Sequence, residues 1–113
     1  MSNEPLTIET AEGSTEATRI LTLAGPLILS NIFDLQEDLR NHPAPTTIID
    51  LSQVPYMDSA GMGVLINFYV SCQKHGRRLI VVAPNYRVIE LFRLTRVDTL
   101  ITIAASLEEA KAL

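Results

Sequence analysis

Asp58 and Ser59 open the segment DSAGMGVL, directly after the apolar run IIDL and the loop SQVPYM. A strand, a short loop and then a helix starting at this pair is the arrangement predicted here. A hydroxyl at a helix start can accept a phosphate, because free backbone N–H groups and the positive end of the helix dipole favour negative charge there. A phosphate brings about −1.5 to −2 charge at neutral pH. Asp58 in the N-cap position would stabilise the helix by about 1 kcal/mol. Ser59 is also a good capping residue, so its type alone does not separate the two roles.

Other chemistry at Ser59 fits poorly. A serine nucleophile needs a histidine within hydrogen-bond reach, and the chain has only His42 and His75. His42 precedes the strand that Ser59 follows, so it belongs at the opposite edge of the sheet. His75 closes the helix that Ser59 opens, ~24 Å away at ~1.5 Å per residue. Both are expected to be exposed turn residues, and the surrounding residues do not form a G-x-S-x-G elbow. Gly61 and Gly63 lack the third glycine of a dinucleotide loop, since Ile66 stands in its place, and no G-K-[ST] occurs. They are read as points of close approach, by packed backbone or by a partner. Asp50 ends an apolar strand as a receiver-domain phosphoacceptor does, but the acidic pair and the lysine of such sites are missing. Its expected task is to orient the following loop through Gln53.

The whole chain sets outer limits. Its 113 residues make one domain, 47% hydrophobic, with net charge −4. Met1 to Glu4 reads as a polar tail. Acidity disfavours nucleic acid as a partner, because phosphate-backbone binding needs clustered cations. The one dense basic spot, Lys74, His75, Arg77 and Arg78, suits a helix C-terminus. Cys72 is the only cysteine, so neither an internal disulfide nor a cysteine metal cluster is expected. No export signal and no apolar run of ~20 residues is seen. A cytoplasmic location without membrane segment, metal or cofactor is the expectation.

The elements that must position Asp58 and Ser59 follow from patterning. Leu6–Thr10 and Arg19–Leu23 alternate and predict an antiparallel hairpin across a turn at Ala11–Ala17, with Gly25-Pro26 as a stop. Ser30 is a candidate cap for a first helix carrying Ile32, Leu35 and Leu39 inward, with Phe33 widening the apolar face and His42, Pro43 and Pro45 ending it. Thr46–Leu51 predicts a strand buried on both faces. Ser59 to His75 predicts a helix with Gly61, Leu65, Phe68, Tyr69 and Cys72 inward and Gly76 as its C-terminal stop. Leu79–Ala83 is a further buried strand. Asn85 is placed to cap a helix burying Val88, Leu91 and Phe92, with Ile89 beside them. Thr99–Ala104 is read as the last strand, and Ser106 with Glu109 as a capping box for a terminal helix. The order is β-β-α-β-α-β-α-β-α, an α/β domain with a mixed, mostly parallel central sheet.

The run DLSQVPYMDSAGMGVLINFY resembles the STAS domain, and within it the bacterial anti-sigma factor antagonists. Their pattern is an apolar strand ending in Asp-Leu, a loop, and D-S-[ST]-G-[LM]-G at a helix start. Asp50, Leu51, Asp58, Ser59, Gly61, Met62 and Gly63 match it. The later run RRLIVVAPNYRVIELFRLTRVDTLITIAASLEEA is also similar, so the resemblance covers nearly the whole chain. It implies a partner switch and no enzyme activity of the chain's own. The unmodified antagonist binds an anti-sigma factor that is also a serine kinase, which frees a sigma factor. Phosphorylation, here on Ser59, ends the complex, and a serine phosphatase resets it. Asp58, Gly61 and Gly63 would support the phosphosite. Leu27, Ile28, Leu29, Ser30, Met57 and Met62 are the expected partner-binding residues, from their position near the helix start. Two departures stand out: Gly25-Pro26-Leu27-Ile28 carries no carboxylate where antagonists commonly have an acidic pattern, and Ala60 replaces the usual Ser or Thr. The first keeps open a second reading, an unphosphorylated STAS subunit of a transporter ATPase or stress-signalling assembly. A small-ligand or nucleotide binder is a third.

Overall fold

The computed structural model of the chain describes residues 5–12 and 17–113. The strands are β1 (Thr7–Glu12), β2 (Thr18–Ala24), β3 (Thr46–Gln53), β4 (Arg78–Val82) and β5 (Thr102–Ala104). The helices are α1 (Ile32–Asn41), α2 (Ser59–Lys74), α3 (Tyr86–Leu94) and α4 (Leu107–Ala112). The five strands lie in the sheet in sequence order. β1 and β2 form the expected antiparallel pair, and every later pairing is parallel. The expected turn at 11–17 is shortened, since β1 runs on through Glu12; its residues 13–16 lie outside those described.

Alternation along the parallel strands sorts side chains into two cores, because successive residues point to opposite faces. Ile49, Leu51, Leu79 and Val81 face α1, α2 and α3, where Leu35, Leu65 and Phe92 meet them. Ile48, Ile80 and Val82 face the other way, onto Ala110 of α4. β3 is thus buried on both faces, as its near-continuous apolar sequence implies.

The helix ends are set by local chemistry. Asn85 accepts the Val88 amide at 2.9 Å, and Ser106 accepts the Glu109 amide at 3.1 Å. Gly76 follows the C-cap of α2 with φ +66°. That left-handed step lets the Arg77 amide reach back to the Cys72 carbonyl at 2.8 Å. Three expectations need correction. Ser30 does not cap α1: Asn31 holds that position, and its side chain serves the preceding loop by accepting the Ile28 amide and donating to the Pro26 carbonyl. Phe33 does not widen the buried face of α1; it is 62% exposed, one position off the Ile32–Leu35–Leu39 stripe. The last strand starts late, because Val97–Thr99 closes a 3-10 turn after Arg96, leaving only Thr102–Ala104 to pair with β4.

Arg19 on β2 and Asp38 on α1 tie sheet to helix. Nη2 donates to Oδ1 at 2.9 Å, and Nη1 stands 2.8 Å from Oδ2 as a charge contact.

Candidate functional site

Parallel strands place their C-terminal ends, and the loops after them, along one edge of the sheet. There the β2–α1 and β3–α2 loops run side by side. The Gly25 amide donates to the Gln53 carbonyl at 3.0 Å, and the Leu27 amide to the Tyr56 carbonyl at 3.1 Å. Leu27 and Met57 form a short parallel bridge. The Asp58 amide returns a bond to the Leu27 carbonyl at 3.2 Å. The segment 25–30, which lacks a carboxylate, therefore serves as a backbone splint for the residues leading into α2.

Asp58 completes the splint. Its Oδ1 accepts the Gly61 amide at 2.9 Å, so it is the N-cap of α2. Its Oδ2 accepts the Leu29 amide at 3.0 Å. Burial pushes the Asp58 carboxyl up, but the N–H groups of Gly61, Leu29 and Ala60 outweigh that and hold it below its ordinary value. Because Asp58 occupies the cap, Ser59 is the first residue of the helix proper and is not needed for capping. Its side chain is exposed, beside the positive end of a 16-residue helix.

The two glycines separate in role. A Cβ on Gly61 would collide with the Leu27 carbonyl oxygen and stand 2.9 Å from the carbonyl carbon. Gly61 is required for the helix to sit on the splint, and the close approach is to packed loop backbone. A Cβ on Gly63 would meet nothing within 4 Å, so Gly63 faces open space one turn along from Ser59. Asp50 orients its loop, but through the Ser52 amide at 2.8 Å and not through Gln53.

The expected contact residues divide. Leu27, Met57 and Met62 are buried in the core, which corrects their reading as surface contacts: the splint turns Leu27 and Met57 inward, and Met62 lies on the inner face of α2. Ile28 is half-buried, while Leu29 and Ser30 are exposed. Leu29 is 61% exposed although its amide is tied to Asp58. The exposed Phe33, in the first turn of α1, joins it. Phe33 was missed because a helical apolar count cannot tell an inner from an outer flank. Across the sheet edge, Asn85 Nδ2 donates to the carbonyls of Val54 and Pro55 at 3.2 and 2.9 Å. Arg87 lies 5.4 Å from the centre of the Tyr56 ring. The loop before Ser59 is thus held from both sides.

His42 and His75 are exposed C-caps of α1 and α2, and neither belongs to this cluster. Among the described residues no group of three His, Cys, Asp or Glu could hold a metal. No helix among them is long and apolar enough to cross a membrane. Burial raises the Cys72 thiol above its ordinary value against a small opposing effect of Arg77.

The STAS domain family model matches residues 8–110. The chain belongs to the STAS domain family. This STAS domain is 34% identical over 55 residues to the anti-sigma-B factor antagonist of Listeria monocytogenes, a match covering 49% of the chain and 48% of that relative. The chain thus spans about half the length of the curated relative it matches. Solved structures share the fold across its length. A candidate anti-sigma factor antagonist of Thermotoga maritima matches with TM-score 0.84 at 24% identity, covering 93% of this chain and 92% of that one. SpoIIAA in its unphosphorylated form matches with TM-score 0.75 at 20% identity, covering 92% of each chain. The phosphorylated form of the Bacillus SpoIIAA matches with TM-score 0.72 at 19% identity, covering 92% and 96%.

Proposed function

We propose that this STAS domain is an anti-sigma factor antagonist. In this reading it binds an anti-sigma factor with serine kinase activity, through the surface around the start of α2, and phosphorylation of Ser59 ends the complex. The observation that carries the reading is Ser59 itself, exposed at the first helical position while Asp58 does the capping. A hydroxyl released from capping and presented at the helix start, behind a braced loop, is available to a kinase, and later to a serine phosphatase, without local unfolding. The names of the Listeria relative and of the Thermotoga neighbour point the same way.

The contact surface comprises Leu29, Phe33, Ser30 and the outer edge of Ile28, with Gly63 allowing a partner backbone to come close. Exposed apolar side chains beside a rigid loop suit an interface core. A phosphate placed there must be desolvated and lies next to the Asp58 carboxylate, and both effects oppose binding. Each 1.4 kcal/mol so lost weakens the complex about tenfold. The helix dipole meanwhile tolerates the charge, so the fold is kept.

The test is phosphosite mass spectrometry on protein from its native cells, with bound partners captured in the same pull-down. Phosphate on Ser59, and a kinase-type anti-sigma factor on the unmodified form alone, is the expected result. No phosphate under any growth condition, with a transporter ATPase or another assembly bound, would replace this reading with that of a structural subunit.

A further inference from the structure

The basic spot at the end of α2 is not used by the Ser59 surface, and the fold gives it a partner. A cavity of about 350 Å³ lies between the C-terminal part of α1 and the α2 face running from Val64 to its C-terminal end. Its apolar lining comes from Leu39, Val64 and Phe68, and Arg40, His75 and Arg77 stand around it. No Asp or Glu lines it. In a chain of net charge −4, two arginines and a histidine lining one cavity without a carboxylate is a strong local reversal of sign. Arg40 comes from a different helix, so the grouping is made by tertiary packing.

The cations are available. Among the described residues the ion pairs are Arg19–Asp38, His42–Asp38 and Arg93–Glu90, so neither Arg40 nor Arg77 is neutralised by a carboxylate. His75 Nδ1 donates to the Ser71 carbonyl at 2.9 Å. Asn67 and Gln36 add polar groups to the lining. Polar side chains around an apolar floor of Leu39, Pro43, Val64 and Phe68, in a cavity of this size, can hold a small amphipathic ligand. Arginine planes favour phosphate and carboxylate.

We propose that this cavity binds a small organic anion, a phosphate or carboxylate carried on an apolar or aromatic body, with the body on Phe68, Val64 and Leu39 and the anionic group between Arg40 and Arg77. The site is separate from Ser59 and does not depend on the proposed partner. It nonetheless shares a helix face with it, since Ser59, Gly63, Asn67 and Ser71 follow at four-residue spacing.

The test is a titration of the isotope-labelled chain followed by amide NMR shifts. The probes are phenyl phosphate and hexanoate, with inorganic phosphate and benzyl alcohol as controls for head and body alone. Saturable shifts grouped on residues 36–43 and 64–77, with either amphipathic anion, are expected; the tighter of the two identifies the head group. The Arg40→Gln/Arg77→Gln double variant should bind about tenfold more weakly. Lys74→Gln, which removes one positive charge outside the cavity lining, should bind as the parent does. The natural spectrum of the double variant shows whether it is folded, and the parent titration decides the matter if it is not. The proposal is overturned by shifts that do not saturate or lie elsewhere, by equal binding of inorganic phosphate or benzyl alcohol, or by equal weakening in Lys74→Gln.

Discussion

Gly61→Ala and Gly63→Ala are the same change two residues apart on one helix, and the structure assigns them opposite signs. Glycine inside a helix costs about 0.5–1 kcal/mol relative to alanine, so either change gains that much if the methyl finds room. At position 63 it does, with nothing within 4 Å. At position 61 it meets the Leu27 carbonyl, with the carbonyl carbon at 2.9 Å and Leu27 Cγ at 3.0 Å. The obstacle is backbone, and it is held by the bonds Leu27–Tyr56 at 3.1 Å and Asp58–Leu27 at 3.2 Å. Relief means separating α2 from the splint, an overpacking cost of about 1–3 kcal/mol, with up to about 0.5–1.5 kcal/mol more for each bond lost. Set against the helical gain, Gly61→Ala should destabilise by about 1–3 kcal/mol, while Gly63→Ala should stabilise by about 0.5–1 kcal/mol. Urea unfolding followed by far-UV circular dichroism reads both. In a domain of this size 1 kcal/mol moves the melting temperature by about 4 °C, so melting curves alone should rank Gly63→Ala above the parent and Gly61→Ala below it. A Gly61→Ala domain as stable as the parent would refute the splint as described.

Other outcomes follow from the same contacts. Asp58→Ala removes the cap and should cost about 0.5–2 kcal/mol near neutral pH. Because the folded carboxyl sits below its ordinary value, its contribution is present above the usual carboxylate range and lost as pH falls through the folded value. Urea midpoints of parent and Asp58→Ala should therefore converge in acid, and a constant gap would show that charge plays no part. Ser59→Ala should leave stability within about 0.5 kcal/mol, since the side chain is exposed and not the cap; a loss near 1 kcal/mol would return the capping role to Ser59. Asp38→Ala breaks the Arg19 contact on partly buried groups and should cost about 1.5–3 kcal/mol. A double-mutant cycle with Arg19→Met should show the two effects to be less than additive, and full additivity would mean the pair is not coupled.

The residues that carry the candidate site were legible because their signals are local. Asp58, Asn85 and Ser106 cap their helices with amides three residues ahead. Gly76 ends α2 through bonds within one turn, and the period of apolar residues assigns each parallel strand its two faces. Such features depend on neighbours in sequence, so the order of strands and helices can be read directly. The splint could not be read in this way. The Leu29–Asp58 bond joins residues 29 apart, and the Asn85–Val54 bond residues 31 apart. Those bonds decide that Leu27 and Met57 point inward while Leu29 stays outside. The same holds for Arg40 and Arg77, which meet at one cavity only because α1 packs on α2. A local pattern fixes which residues share an element's face; only packing of one element on another fixes which faces are covered, because burial depends on the neighbour that arrives and not on the residue that waits.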